Sequence, residues 1–281
     1  MSIITGVTDL LKDISNNWTV AAAGSCFGAT VATLILLAVY KRRIFKSAGK
    51  KLQLYHFKVL RSSRCAWMVY ELKAEKDVEF VEFNPYASLP NDTDRYQNYR
   101  DTIHPNATVP ALRLPDGHVI KESAAICFLL AEHYGRLLPK KDWASYYDWS
   151  LYSAVTLDST LKVLHGQLFN DSPDREIVRK AVKDFRQCIA ALEKHIQDRT
   201  FICGKEFTAA DVIIGFSLMW ASLFKGGVLL SDYTAVHDYL QRLKKRKAFV
   251  KGMGTTNEWL AASESTEFNH ELFDKMKYDL E

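Results

Sequence analysis

Residues 18–40, WTVAAAGSCFGATVATLILLAVY, carry no charged side chain, and residues 41–51 then hold six Lys or Arg and no acid. At 1.5 Å per residue the uncharged run is about 35 Å long as a helix, more than the roughly 30 Å of a hydrocarbon layer. The pattern predicts a transmembrane helix over 18–40, behind an N-terminal tail of 1–17. A cleaved signal peptide fits less well: it has a positive start and an apolar core of roughly 7–15 residues, whereas residues 1–17 set Asp9 and Asp13 against Lys12. The basic flank 41–51 (Lys41, Arg42, Arg43, Lys46, Lys50, Lys51) stays cytosolic by the positive-inside rule, which puts residues 52–281 in the cytosol. Gly24 and Gly28 could pair helices, although a G-x-x-x-G arises easily in a span so rich in small residues.

Beyond residue 51 the periodicity shortens. LQLYHF (52–57) reads as an apolar strand, CAWMVYELKAEK (65–76) as a helix, and VEFVEF (78–83) alternates with period two, as a half-buried strand does. A polar loop is expected over 84–106. VPALRL and HVIKE then form a hairpin around Pro115-Asp116-Gly117, where Pro presets φ and Gly accepts φ > 0. ESAAICFLLAEHYG is a helix with Gly135 just past its end. From residue 140 only helical spacing remains, in 142–168, 175–198, 209–224 and 233–246. The order β-α-β then β-β-α predicts a thioredoxin-like α/β domain over 52–139. An all-helical domain follows over 140–252, and a polar tail over 253–281.

Charge adds little beyond the flank. The chain is +4 overall, with 37 basic and 33 acidic residues, so without the six of 41–51 the remainder sits near −2. No basic, aromatic-interleaved patch points to nucleic acid; the run Arg242, Lys244, Lys245, Arg246, Lys247 reads as the solvated end of a helix. The flank itself favours an anionic leaflet. Five cysteines lie far apart without a C-x-x-C or a His at metal spacing, so no metal site is expected and the thiols read as reduced.

Three segments, YHFKVLRSSRCAWMVYEL, HPNATVPALRLPDGHVIKESAAICFLL and FICGKEFTAADVIIGFSL, resemble the soluble glutathione transferases, in particular their serine-type and bacterial or fungal classes. The resemblance spans 52 to about 250. It implies the glutathione transferase fold, glutathione as a bound substrate, a homodimer and a detoxifying conjugation of hydrophobic electrophiles, with hydroperoxide reduction as a related option. A moderately apolar N-terminal anchor with a basic flank is similar to signal anchors of the mitochondrial outer membrane, and the endoplasmic reticulum is the other candidate. The alternative for the whole chain is a non-catalytic interaction module of the same fold on an organelle surface.

Each motif can be weighed on its own chemistry. X–Pro bonds adopt cis at a cost of only about 0.5–1 kcal/mol. The resemblance implies a cis Val109-Pro110 whose outward backbone pairs with the cysteinyl part of glutathione, like an added strand; otherwise it is an ordinary trans Pro opening an edge strand. Glu122-Ser123 starts a helix, where free N–H groups and the dipole attract a carboxylate. Alone it reads as an N-capping pair; the resemblance makes it the grip on the γ-glutamyl end. Thr208-x-x-Asp211 reads as a capping box.

Conjugation needs a thiolate, hence a hydroxyl aimed at sulfur. Matching Arg64 and Trp67 to the family's S-R-S-x-R-x-x-W puts Leu60 where the first serine belongs, leaving Ser62, or alternatively Ser63, as the activator. Cys65 lies inside the helix and reads as packing. Ala107-Thr108 replaces the family's Gly-Lys and so loses a contact to the glycyl carboxylate, for which Lys121 or Arg61 could compensate. Tyr146, Trp149 and Tyr152, with Tyr147, Trp220 and Phe224 nearby, are the candidates for an apolar substrate pocket.

Overall fold

The computed structural model describes residues 50–85, 93–168, 170, 172–255 and 257–258. The expected span 18–40, its tail and all of the flank except Lys50 and Lys51 lie outside them, as does most of the tail 253–281. Among the described residues no helix is long and apolar enough to cross a membrane.

Alternating apolar residues build a four-stranded sheet from β1 (Leu52–His56), β2 (Val78–Glu82), β3 (Ala111–Arg113) and β4 (Val119–Ile120), in the order β2-β1-β3-β4. β1 runs parallel to β2 and antiparallel to β3. Leu54 pairs with Phe80 on one side and Leu112 on the other. Leu52, Leu54, Val78 and Leu112 point to one face, as the period of two requires. There they meet Trp67, Met68, Val69 and Leu72 of α1 (Ser62–Leu72) and Ile126 and Leu130 of α3 (Ser123–Tyr134). The opposite face is covered only in part. The expected loop 84–106 contains a helix, α2 (Thr93–Thr102), whose Tyr99 stacks on Phe83 and meets Tyr55 edge-on. Its sequence is so polar that Tyr96 and Tyr99 are its main apolar contacts, with Arg95 donating to the Glu82 carbonyl, and periodicity misses it.

The second half is helical, as its pattern predicts: α4 (Trp143–Leu151), a π-helical turn (Tyr152–Leu157), α5 (Asp158–Leu168), α6 (Arg175–Ile196), α7 (Ala209–Ala221), a 3₁₀ segment (Phe224–Leu230) and α8 (Thr234–Lys244). A further short helix, α9 (Lys247–Met253), was not legible as an element and packs along α1. It alters the reading of the basic run before it. Arg246 is no solvated end: its guanidinium grips Glu71 of α1 at 2.6 and 2.8 Å and lies 3.6 Å above the Phe207 ring.

The expected capping box at the start of α7 is present. Asp211 is fully buried and accepts from the backbone N–H groups of Ile202 and Thr208 and from the hydroxyls of Thr208 and Tyr239, at 2.7–3.1 Å. Burial pushes its pKa up while those donors pull it down. Asp211→Ala leaves several buried donors unpaired, so the unfolding free energy should fall by about 3 kcal/mol. Denaturant unfolding of the variant checks this.

Candidate functional site

The loop from α2 into β3 supplies the first part of the site. His104, nearly buried, accepts the Asn106 N–H on Nδ1 and meets the Thr108 hydroxyl through Nε2 at 3.1 Å. With Nδ1 accepting, Nε2 carries the proton of the neutral ring and donates to Thr108. Burial and the nearby Lys121 lower the His104 pKa, which keeps it neutral. Ala107 takes φ +48°, the left-handed backbone that glycine adopts at no steric cost. The Val109-Pro110 bond is cis. Val109 lies just beyond the last pair of the β1–β3 ladder, Tyr55 with Ala111.

The start of α3 supplies the second part. Glu122 occupies the N-cap with extended backbone, yet its side chain makes no capping bond. The Ser123 hydroxyl, largely buried, accepts from the Arg64 guanidinium at 3.2 Å. The capping alternative therefore finds no support, and the first N–H groups of α3 keep their pull on an anion.

Arg64 joins this corner to the helical domain. Fully buried, it pairs with Asp158 at 2.7 Å and donates to Ser217 at 3.2 Å. Ser217 donates to the other Asp158 oxygen and contacts Ser153. The sequence flags this network only weakly, through a cation beside the apolar run CAWMV at Arg64 and an acid after an aromatic-rich helix at Asp158.

The turn before α1 holds the candidate activators. Ser62 is buried, and its hydroxyl donates to the Phe57 carbonyl at 2.8 Å while accepting the Phe57 N–H at 3.1 Å. His56 Nδ1 lies 2.9 Å away and, with the Ser62 proton already placed, donates to the same oxygen. Burial, then the charge of Lys58, lowers the His56 pKa to about 4, so the ring is neutral. Every hydrogen-bonding position of Ser62 is thus spent inside the turn. Ser63, in the first turn of α1, is equally buried, but its hydroxyl has no partner among the described residues. Leu60 packs with Tyr55 and Phe57 against the α2 side of the sheet. Cys65 is fully buried, with its thiol pKa raised by burial and by Cys127, in keeping with packing.

Of the expected substrate-pocket residues, Trp149 and Tyr152 touch each other and are half-buried, whereas Tyr146 is packed elsewhere. Tyr146 is core: it is 1% exposed and wedged against Phe128, Trp143 and Tyr147. Trp149 leans on Tyr152 and on His195 of α6, and Tyr152 meets Cys188 of α6, its phenol pushed up to about 12 chiefly by burial. Helical spacing could not tell Tyr146 from a pocket residue. Phe224 is buried too, whereas Trp143, Tyr147, Leu151 and Val155 form an exposed apolar row at four-residue spacing. Among the described residues no group of three His, Cys, Asp or Glu could hold a metal.

Comparison with known proteins matches this architecture. The family model of the glutathione S-transferase N-terminal domain matches residues 61–133, and that of the C-terminal domain matches 175–242. An uncharacterised GST-like protein of Streptococcus mutans is 24% identical over 222 residues, 73% of this chain and 82% of that protein. Elongation factor 1-gamma of Artemia salina is 27% identical over 120 residues, 41% of this chain and 27% of the factor. The glutathione transferase URE2P6 of Phanerochaete chrysosporium, solved with oxidized glutathione, shares the fold at a TM-score of 0.65 and 17% identity, over 76% of this chain and all of that one. Matched in both domains and in their order, over just over half of its length, the chain belongs to the glutathione S-transferase family.

Proposed function

We propose that this chain is a membrane-anchored glutathione transferase that conjugates glutathione to hydrophobic electrophiles, with its catalytic domains in the cytosol at the mitochondrial outer membrane or the endoplasmic reticulum. The observation that carries the reading is the uncapped start of α3: Glu122 and Ser123 offer acceptor, donor and helix dipole beside the Val109 edge. In this reading the γ-glutamyl carboxylate sits on Ser123, the ammonium on Glu122, and the cysteinyl backbone pairs with Val109 ahead of Pro110. Residues 18–40 supply the anchor, which keeps the site close to lipid-dissolved compounds. The exposed row Trp143, Tyr147, Leu151 and Val155 offers a homodimer a face to bury.

Of the two serines, Ser63 suits the thiol better. Its hydroxyl is uncommitted at a helix start, whereas that of Ser62 is saturated. Both serines are fully buried, so this role requires the turn to open when glutathione binds. The test uses the full chain in uncharged detergent: retention on immobilised glutathione, then conjugation of a lipophilic electrophile. Ser63→Ala should keep retention and lower kcat about a hundredfold. A loss confined to Ser62→Ala would return the role to that residue.

A second reading, a non-catalytic module of the same fold, is favoured by Leu60 in the family's serine position and by the similarity to an elongation factor. Failure of the unaltered chain to be retained on glutathione would select it.

A further inference from the structure

The half of the sheet face that α2 leaves uncovered holds a cavity of about 490 Å³, lined by Lys50, Lys51, Gln53, Glu79, Arg113 and the turn at Pro115, Asp116 and Gly117. Gln53 pairs in register with Glu79 on β2 and with Arg113 on β3, so those three side chains form one row across three strands. Both acids of the lining are engaged. Glu79 accepts from the Gln53 amide at 3.1 Å, and Asp116 accepts the His118 N–H at 3.0 Å with the His118 ring 3.3 Å away. The three cations, Lys50, Lys51 and Arg113, have no carboxylate partner among the described residues. With three cations against two acids the recess carries a net positive charge, at the Gln53–Arg113 end of the face whose other end holds Tyr55, Ala111 and Val109.

Its position in the chain identifies the occupant. Lys50 and Lys51 end the eleven-residue stretch 41–51, which has six basic residues and no acid and follows the uncharged run 18–40. The geometry points to a seat for the phosphate of an anionic lipid headgroup, with Arg113 and Lys51 as its two principal contacts. The sheet itself, and not the flank alone, then engages the leaflet, and this sets which side of the domain faces the membrane. The occupant rests on the membrane reading of residues 18–51; the cationic recess does not.

The full chain in uncharged detergent micelles is titrated with short-chain dihexanoyl phosphatidylserine, dihexanoyl phosphatidylcholine and inorganic phosphate, with binding read by calorimetry. Saturable binding of the phosphatidylserine alone is expected. It should weaken at least tenfold in the Lys51→Gln, Arg113→Gln double variant and stay unchanged in Lys162→Gln, an exposed lysine of the helical domain. Equal binding of both lipids, or a double variant that binds like the parent, would overturn the site. Phosphate binding as tightly as phosphatidylserine would overturn the lipid as its occupant. Release of the full chain from vesicles by alkaline carbonate would refute the anchor separately, whatever the titration gives.

Discussion

Arg64→Ala is expected to cost about 3–5 kcal/mol of stability, because it strips the partner from a carboxylate that cannot reach water. The Arg64 and Asp158 side chains are 0% and 3% exposed and 2.7 Å apart. Asp158 sits at the start of α5, directly after the π-helical turn, while Arg64 belongs to α1 of the other domain. Removing the guanidinium also takes donors from Ser123 and Ser217 and a cation from above the Phe216 ring, 4.5 Å away. Truncation would thus loosen the domain junction and the start of α3 together. The measurement is the urea midpoint of Arg64→Ala, Asp158→Ala and the double variant. If the isolated charge dominates, the double variant should be less destabilised than the sum of the two singles by 1 kcal/mol or more. Strict additivity would mean that lost packing, not an orphaned charge, sets the cost.

How much of this was legible depends on the range over which each signal acts. The period-two alternation of residues 78–83, the turn chemistry at Pro115-Asp116-Gly117 and the Thr208-x-x-Asp211 box are local, and each is found where expected. The order of elements and the family motifs were likewise enough for the two-domain architecture. What escaped was set by distant partners. α2 is held by Tyr99 against Phe83 and Tyr55, so its polar sequence resembles a loop. Arg246 looks solvated in any window that omits Glu71, 175 residues earlier. At the site, Ser62 and Ser63 are neighbours of the same type and both are buried. Only the fold shows that the backbone of Phe57 and the ring of His56 consume one hydroxyl and leave the other. Tyr146 and Trp149 share a helix and an aromatic character, and only the fold shows that Tyr146 is buried against Phe128 while Trp149 stays half-buried beside His195.

Gly252→Ala should be comparably damaging, by about 3 kcal/mol or more, although it adds a single methyl group. α9 lies so close to α1 that a Cβ at Gly252 would stand 2.2 Å from the Trp67 Cα and 2.3 Å from its backbone nitrogen. Backbone atoms in the middle of a packed helix cannot rotate aside, so the substitution has to push α9 away as a unit. That movement strains the Phe249–Trp67 edge contact, whose ring centroids are 4.8 Å apart, and draws Arg246 off Glu71. Gly215 makes a built-in comparison. A Cβ there would meet the Trp67 ring and a Leu243 methyl at 2.7–2.9 Å. These are side-chain atoms, and Leu243 can change rotamer, so Gly215→Ala should cost less, about 1–2 kcal/mol. At about 2–4 °C per kcal/mol for a domain pair of this size, thermal unfolding of the two variants should separate them by several degrees, with Gly252→Ala the lower. Equal melting would mean that α9 detaches from α1 at little cost. α9 would then be an adjustable cover over Trp67 rather than part of the fold that holds it.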